Sequence, residues 1–275
     1  MTQSGNPSAW RRFWERGGWW RSLLLVVAYY VLWQLGSLVF LPLLASADDT
    51  ASLVWLGTAL PVALGGVILL VFGWSVGWLR ELFGPQPIRG RGWMWIAVAV
   101  VLIFNVLHFA SVDYAEAGAG VVIAWLAAGL FVGFAEELLT RGFVVNLMRR
   151  GGYREITVAV VSAALFAALH SGNLLSGQSL FATAFQLVYT FTFGILMYLS
   201  LRVTGSLIWP ILLHATTDPS IFLHTAYPAD TPLAAVAGFG NPAVVVFGLV
   251  LLIFIRGKVE STAPAAEPGI DSKVA

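Results

Sequence analysis

Apolar runs of roughly one bilayer's thickness recur along this chain, separated by short polar stretches. A hydrocarbon core of ~30 Å takes about 20 apolar residues per α-helix. Eight segments meet or approach that length: Ser22–Leu44, Ser52–Trp78, Trp93–Ala110, Gly120–Met148, Thr157–Ser171, Phe181–Leu201, Leu207–Phe222 and Ala234–Ile255. The fifth and seventh are short and are expected to run past these limits. The eighth contains Gly238, Gly240 and Pro242, which blur its start. The pattern predicts an all-α, polytopic membrane bundle of about eight transmembrane helices.

The same pattern divides the chain. Residues 1–21 read as a cytoplasmic segment, 22–118 as N-terminal transmembrane helices, 119–225 as a core, 226–256 as a final transmembrane helix, and 257–275 as a tail. The tail from Ser261 is rich in Ala, Pro and charge, which predicts disorder. The first apolar run is too long for a signal peptide and lacks a small-residue cleavage site, so it is expected to be retained. No internal repeat of the transporter kind stands out.

Composition and charge agree. The 275 residues are 59% hydrophobic and 11% charged, where a soluble domain carries about 25% charged residues. Mean hydropathy is +0.83. A net charge of +1 gives no basic surface for nucleic acid. The absence of cysteine excludes disulfides, thiolate metal sites and a cysteine nucleophile. Arg11, Arg12, Arg16 and Arg21 precede the first span. Arg80, Arg89 and Arg91 follow the second, Arg149, Arg150 and Arg154 the fourth, Arg202 ends the sixth, and Arg256 and Lys258 follow the eighth. The alternate loops hold Asp48, Asp49, Asp113, Glu116 and Asp230, without Lys or Arg. By the positive-inside rule both termini are expected in the cytoplasm.

Against this background four charges stand out well inside spans: Glu136, Glu137, Arg141 and Asp218. Each costs about 2.5–3.5 kcal/mol at a helix centre on insertion scales, and such residues face a protein interior or a wet cavity. Glu137 and Arg141 are four apart and can pair on one face, whereas Glu136 points about 100° away and lacks an intrahelical cation. Phe166 and His170, and His214 and Asp218, share the same spacing. A rise of ~1.5 Å per residue puts Glu136, His170, His214 and Asp218 all near mid-membrane. Plain structural readings exist: an ion pair for Glu137 and Arg141, a cap for Asp218 before Pro219, and helix-to-helix bonding for the histidines. His108 and His224 are read as structural, with Asn105 placed to bond His108.

A carboxylate with two imidazoles, without Ser, Cys or Lys beside them, suits activation of water. No His-Glu-x-x-His, Gly-x-Ser-x-Gly or phosphate-binding glycine loop occurs. Two His and one Glu can hold zinc in some enzymes, so His170, His214 and Glu136 as metal ligands and a metal-free water both stay open.

EELLTRG at 136–142, FAALH at 166–170 and HATTD at 214–218, in this order, resemble the three motifs of the CAAX prenyl protease and bacteriocin-processing (CPBP, or abortive-infection) family. The resemblance covers about residues 120–225 and implies an eight-helix intramembrane endopeptidase. Carried over by motif, Glu136 is the water-activating carboxylate and His170 assists it. His214 with Asp218 stabilises the oxyanion or holds water, and Glu137, Arg141 and Phe166 support. The family includes members described as metalloproteases, and a metal-free glutamate mechanism is also held for it, so a divalent metal such as zinc is an optional cofactor. The chain looks like a prokaryotic member in the plasma membrane. Its expected partners are the lipid bilayer and a membrane-associated peptide or protein substrate, with oligomeric state left open. A non-catalytic immunity or scaffold protein on the same fold, or a small proton-coupled transporter, are the competing readings.

Overall fold

A computed structural model describes residues 8–259. Among them there is no strand, and the chain is a bundle of helices: α1 (Ala9–Glu15), α2 (Trp19–Ser37), α3 (Thr50–Val76), α4 (Trp95–Ala110), α5 (Tyr114–Arg150), α6 (Glu155–Leu169), α7 (Leu180–Thr204), α8 (Ile208–Ala226), α9 (Pro232–Ala237) and α10 (Gly240–Leu252). Seven stretches are long and apolar enough to cross a membrane. They correspond to seven of the eight expected spans. The eighth is α8, whose 19 residues include His214, Thr216, Thr217, Asp218, Ser220 and His224. Those polar groups lower its hydropathy; His214, Thr217 and Ser220 are buried among other helices, whereas Thr216 is exposed and Asp218 and His224 are partly so.

The ends of the helices follow local chemistry. Asp49 caps α3, accepting from the Ser52 hydroxyl and the Ser52 N–H, and these bonds hold its carboxyl below the ordinary range. Asp113 caps α5 by accepting from the N–H groups of Ala115 and Glu116. α6 continues as a 3-10 turn to Leu174, and α8 runs to Ala226, so both short segments extend as expected. The last span breaks at Gly238 and Phe239 between α9 and α10, where glycine weakens the helix. The terminal tail, expected to be disordered, falls outside the described residues apart from 257–259. There Gly257 accepts a hydrogen bond from the Glu155 N–H at 2.9 Å.

Outward-facing positions are apolar: Leu35, Val39, Trp74, Phe181 and Phe239 are all exposed, as a lipid-facing surface requires. The interior is organised on α5 and α8, which make the most extensive helix–helix contact. Glycines permit it. A Cβ on Gly133 would lie 2.6 Å from the backbone nitrogen of Ala215 and 2.7 Å from the carbonyl of Ile211. Gly129 meets the Ala215 carbonyl and the Pro219 ring in the same way. Pro219 has no N–H for that carbonyl, yet α8 continues through it. Gly129 and Gly133 form a small-x-x-x-small stripe of the kind that lets membrane helices approach backbone to backbone.

A buried polar knot closes the arginine-rich end. Glu155 accepts from Arg149 at 2.7 and 2.9 Å, from Arg202 at 3.0 Å, and from the Tyr198 hydroxyl. Arg202 also donates to the Arg89 carbonyl at 3.2 Å. The knot joins α5, α6, α7 and the loop after α3. Asn105 does not bond His108; its amide donates to Thr216 and Thr217, both at 2.9 Å, and so ties α4 to α8. The His108 ring instead stacks near His224, centroids 5.1 Å apart.

Candidate active site

The site begins with a change of helical pitch. α5 is broken near its start at Gly118, whose φ is 73°, runs on to Glu137 and then takes i→i+5 bonding over Leu138–Val144. Such π turns are rare and occur often at functional sites. Glu136 and Glu137 are the last residues before the turn widens, and Arg141 lies within it. The Thr140 hydroxyl donates to the Glu136 carbonyl at 2.6 Å and accepts from Arg141. Ser162 of α6 donates to the Thr140 carbonyl at 2.9 Å. The widened turn is thus held by side chains on both sides.

Two layers follow. The inner one is closed to solvent. Arg141 Nη1 lies 3.1 Å from Glu137 Oε1, both side chains 0% exposed. The same carboxylate oxygen meets His214 Nδ1 at 2.8 Å. A carboxylate paired with a guanidinium is an acceptor, so His214 Nδ1 donates to it and Nε2 is turned towards the outer layer. The second face of Arg141 lies on the Phe166 ring, 4.6 Å from guanidinium carbon to centroid. Phe166 also meets His170 edge-on at 5.1 Å and His214 at 5.8 Å. One buried ring therefore touches three of the singled-out residues.

The outer layer is reachable. Glu136 and Asp218 are 21% and 31% exposed, whereas His214 is 2%. His214 Nε2 lies 3.7 Å from Glu136 Oε2 and 3.9 Å from Asp218 Oδ1. His170 closes α6. Its Nδ1 donates to the Phe166 carbonyl at 3.1 Å, one of the carbonyls that a helix end leaves unpaired, which leaves Nε2 free of that bond. It lies within electrostatic reach of Asp218 and His214. The structure thus gathers Glu136, Glu137, Arg141, Phe166, His170, His214 and Asp218 from three helices.

Several contributors were not singled out in the sequence. Thr140 fixes the π turn. Phe193 of α7 packs edge-on against His214 at 4.8 Å and is itself stacked by Tyr189 at 6.0 Å. Gly194 leaves room for Arg141, whose Nη2 would lie 3.1 Å from an added Cβ. An aromatic or a threonine in a membrane span is ordinary, so only the Gly129–Gly133 spacing carried a readable signal. Among the described residues no three His, Asp or Glu side chains converge as a metal-binding group. At 3.7 and 3.9 Å the groups are beyond direct hydrogen-bond distance and near enough for one water to bridge them from the side.

Residues 117–220 match the family model described as Type II CAAX prenyl endopeptidase Rce1-like, an interval that contains all three motifs and every residue of the two layers. No curated protein matches the chain. Over residues 117–220, the part of the chain that carries the site, the protein is similar to the Rce1-like CAAX prenyl endopeptidases.

Proposed function

We propose that the protein is an intramembrane endopeptidase that hydrolyses a peptide bond of a membrane-associated peptide or protein, with Glu136 as general base. The observation that carries this reading is the two-layer geometry. The inner carboxylate, Glu137, is neutralised by Arg141 and occupied by His214. The outer one, Glu136, makes no side-chain hydrogen bond among the described residues and faces His214 Nε2 at 3.7 Å. A water bridging these two atoms from the accessible side meets a proton acceptor and groups that orient it.

In the proposed reaction Glu136 takes a proton from water as the water oxygen attacks the scissile carbonyl carbon. The carbonyl π pair moves to its oxygen. His170 assists, and His214 with Asp218 stabilises that oxyanion or holds the water. Collapse expels the leaving nitrogen, which receives the proton from Glu136, so one water is consumed per bond cut. Glu137 orients His214 through its Nδ1 and compensates Arg141. No step is routed through a metal ion. Should zinc be bound, His170, His214 and Glu136 are the side chains available to hold it, and it would polarise the water. We further propose that both termini lie in the cytoplasm, from the arginine pattern of the loops.

The test is cleavage by the detergent-purified chain of a panel of membrane peptides, prenylated CAAX peptides included. Mass spectrometry should find two fragments that together exceed the substrate by one water. A membrane-permeant chelator run in parallel decides the cofactor: activity lost and restored by zinc would move both histidines to ligand roles. Absence of cleavage across the panel, with folded protein, would favour a scaffold role.

A further inference from the structure

An apolar cavity lies between α1, α2 and α3, and Tyr29 in its lining is within electrostatic reach of Glu136. Its volume is about 560 Å³, within the range of small-molecule sites. Trp10, Phe13 and Trp14 of α1 roof it, Tyr29 of α2 and Leu69 and Phe72 of α3 wall it, and every lining side chain is aromatic or aliphatic. Edge-on ring contacts join Trp14 to Phe72 at 5.1 Å and Trp10 to Phe72 at 6.2 Å, which fixes the roof to the wall. The Trp10 indole N–H donates to Ser75 at 3.1 Å and anchors α1 across the end of α3.

Directly beside this roof is a cation without an anion. Arg21 is 9% exposed and forms no ion pair among the described residues. Its guanidinium carbon lies 4.9 Å from the centroid of Phe13, a roof residue, and 4.2 Å from that of Trp20. Nη1 donates to the Gly17 carbonyl at 2.8 Å, and the buried Nε has no partner. The exposed Arg16 adds like charge close by. A desolvated arginine with an unpaired N–H, over a ring that walls an apolar groove, is complementary to a ligand with an anionic head and a hydrocarbon body.

We propose that this groove holds one acyl chain of an anionic phospholipid, with its phosphate on Arg21 and Arg16. The groove opens among residues that face lipid, for Leu32 of its lining is 54% exposed. The bilayer leaflet on the side of α1 supplies the occupant. The site is independent of the peptidase reading.

The experiment is native mass spectrometry of the full chain released from vesicles of equal phosphatidylglycerol and phosphatidylcholine. One phosphatidylglycerol should be retained, favoured about tenfold over phosphatidylcholine, since basic residues at a membrane surface select anionic lipid. Leu32→Trp fills the groove from its lipid side and should abolish the adduct. Val31→Trp, at a neighbouring lipid-facing position outside the lining, should not. Arg21→Gln should erase the headgroup preference while an adduct persists. No adduct, equal retention of the two lipids by the unaltered chain, or an adduct untouched by Leu32→Trp would overturn the proposal. Preferential retention of added farnesol over phosphatidylglycerol would also overturn it, by giving the groove to an isoprenoid chain.

Discussion

At the scale of single residues, the site is a problem of compensating charge where water is scarce. Glu137 and Arg141 are tolerable because each neutralises the other, and His214 then uses the same oxygen of Glu137. Arg141→Ala should therefore leave a buried carboxylate without its cation and destabilise the protein by about 3–5 kcal/mol. Thermal unfolding in detergent measures this; a normal midpoint would show that the pair is not structural. His170→Ala and His214→Ala should each slow turnover strongly. The double variant should cost much less than the sum, because groups that act on one water are not additive; fully additive losses would separate their roles. These residues were legible in the sequence because charge and imidazole are conspicuous in apolar spans. Thr140 and Phe193 were not, since neither type is unusual there, and their roles depend on which helix faces which. Glu155 escaped notice for another reason: it stands at the start of a span, beside arginines, where an exposed carboxylate would be unremarkable, yet it is fully buried.

At the scale of elements, the π turn of α5 and the glycine stripe facing α8 set the distances among the proposed catalytic groups. Gly133→Ala would press a methyl against the α8 backbone, which cannot rotate away as a side chain can. The expected cost is about 1–3 kcal/mol, typical of overpacking, with a loss of activity because His214 lies one residue before the contact at Ala215. Gly57→Ala is the comparison: its nearest neighbour would be a leucine methyl at 3.6 Å, an ordinary contact, and it should be tolerated. Equal unfolding midpoints for the two variants would contradict close α5–α8 packing as the source of site geometry. The helices themselves were legible from hydropathy, including both short segments that run on. The pitch change was not, because i→i+5 bonding has no simple periodic signature in seven residues. The course of α8 through Pro219 was expected from the Leu207–Phe222 span, and packing against Gly129 accompanies it.

At the scale of the molecule, an apolar shell surrounds a small polar interior, with arginines clustered at one end and the Glu155 knot closing it. The proposed orientation predicts that reporter fusions at Arg89 and after Lys258 both report cytoplasm; one of them outside would break the eight-span topology. The central claim concerns the interior: of the two adjacent glutamates, the accessible Glu136 is the base and the neutralised Glu137 is its support. The most direct measurement is single-turnover cleavage by Glu136→Gln, on a substrate that the unaltered protein cuts, with binding measured on the same preparation. Glutamine keeps size and hydrogen bonding but cannot take the proton. The account predicts a rate about 10²–10⁴-fold lower, the range for loss of a general base, with binding nearly unchanged. Cleavage near the unaltered rate would contradict it.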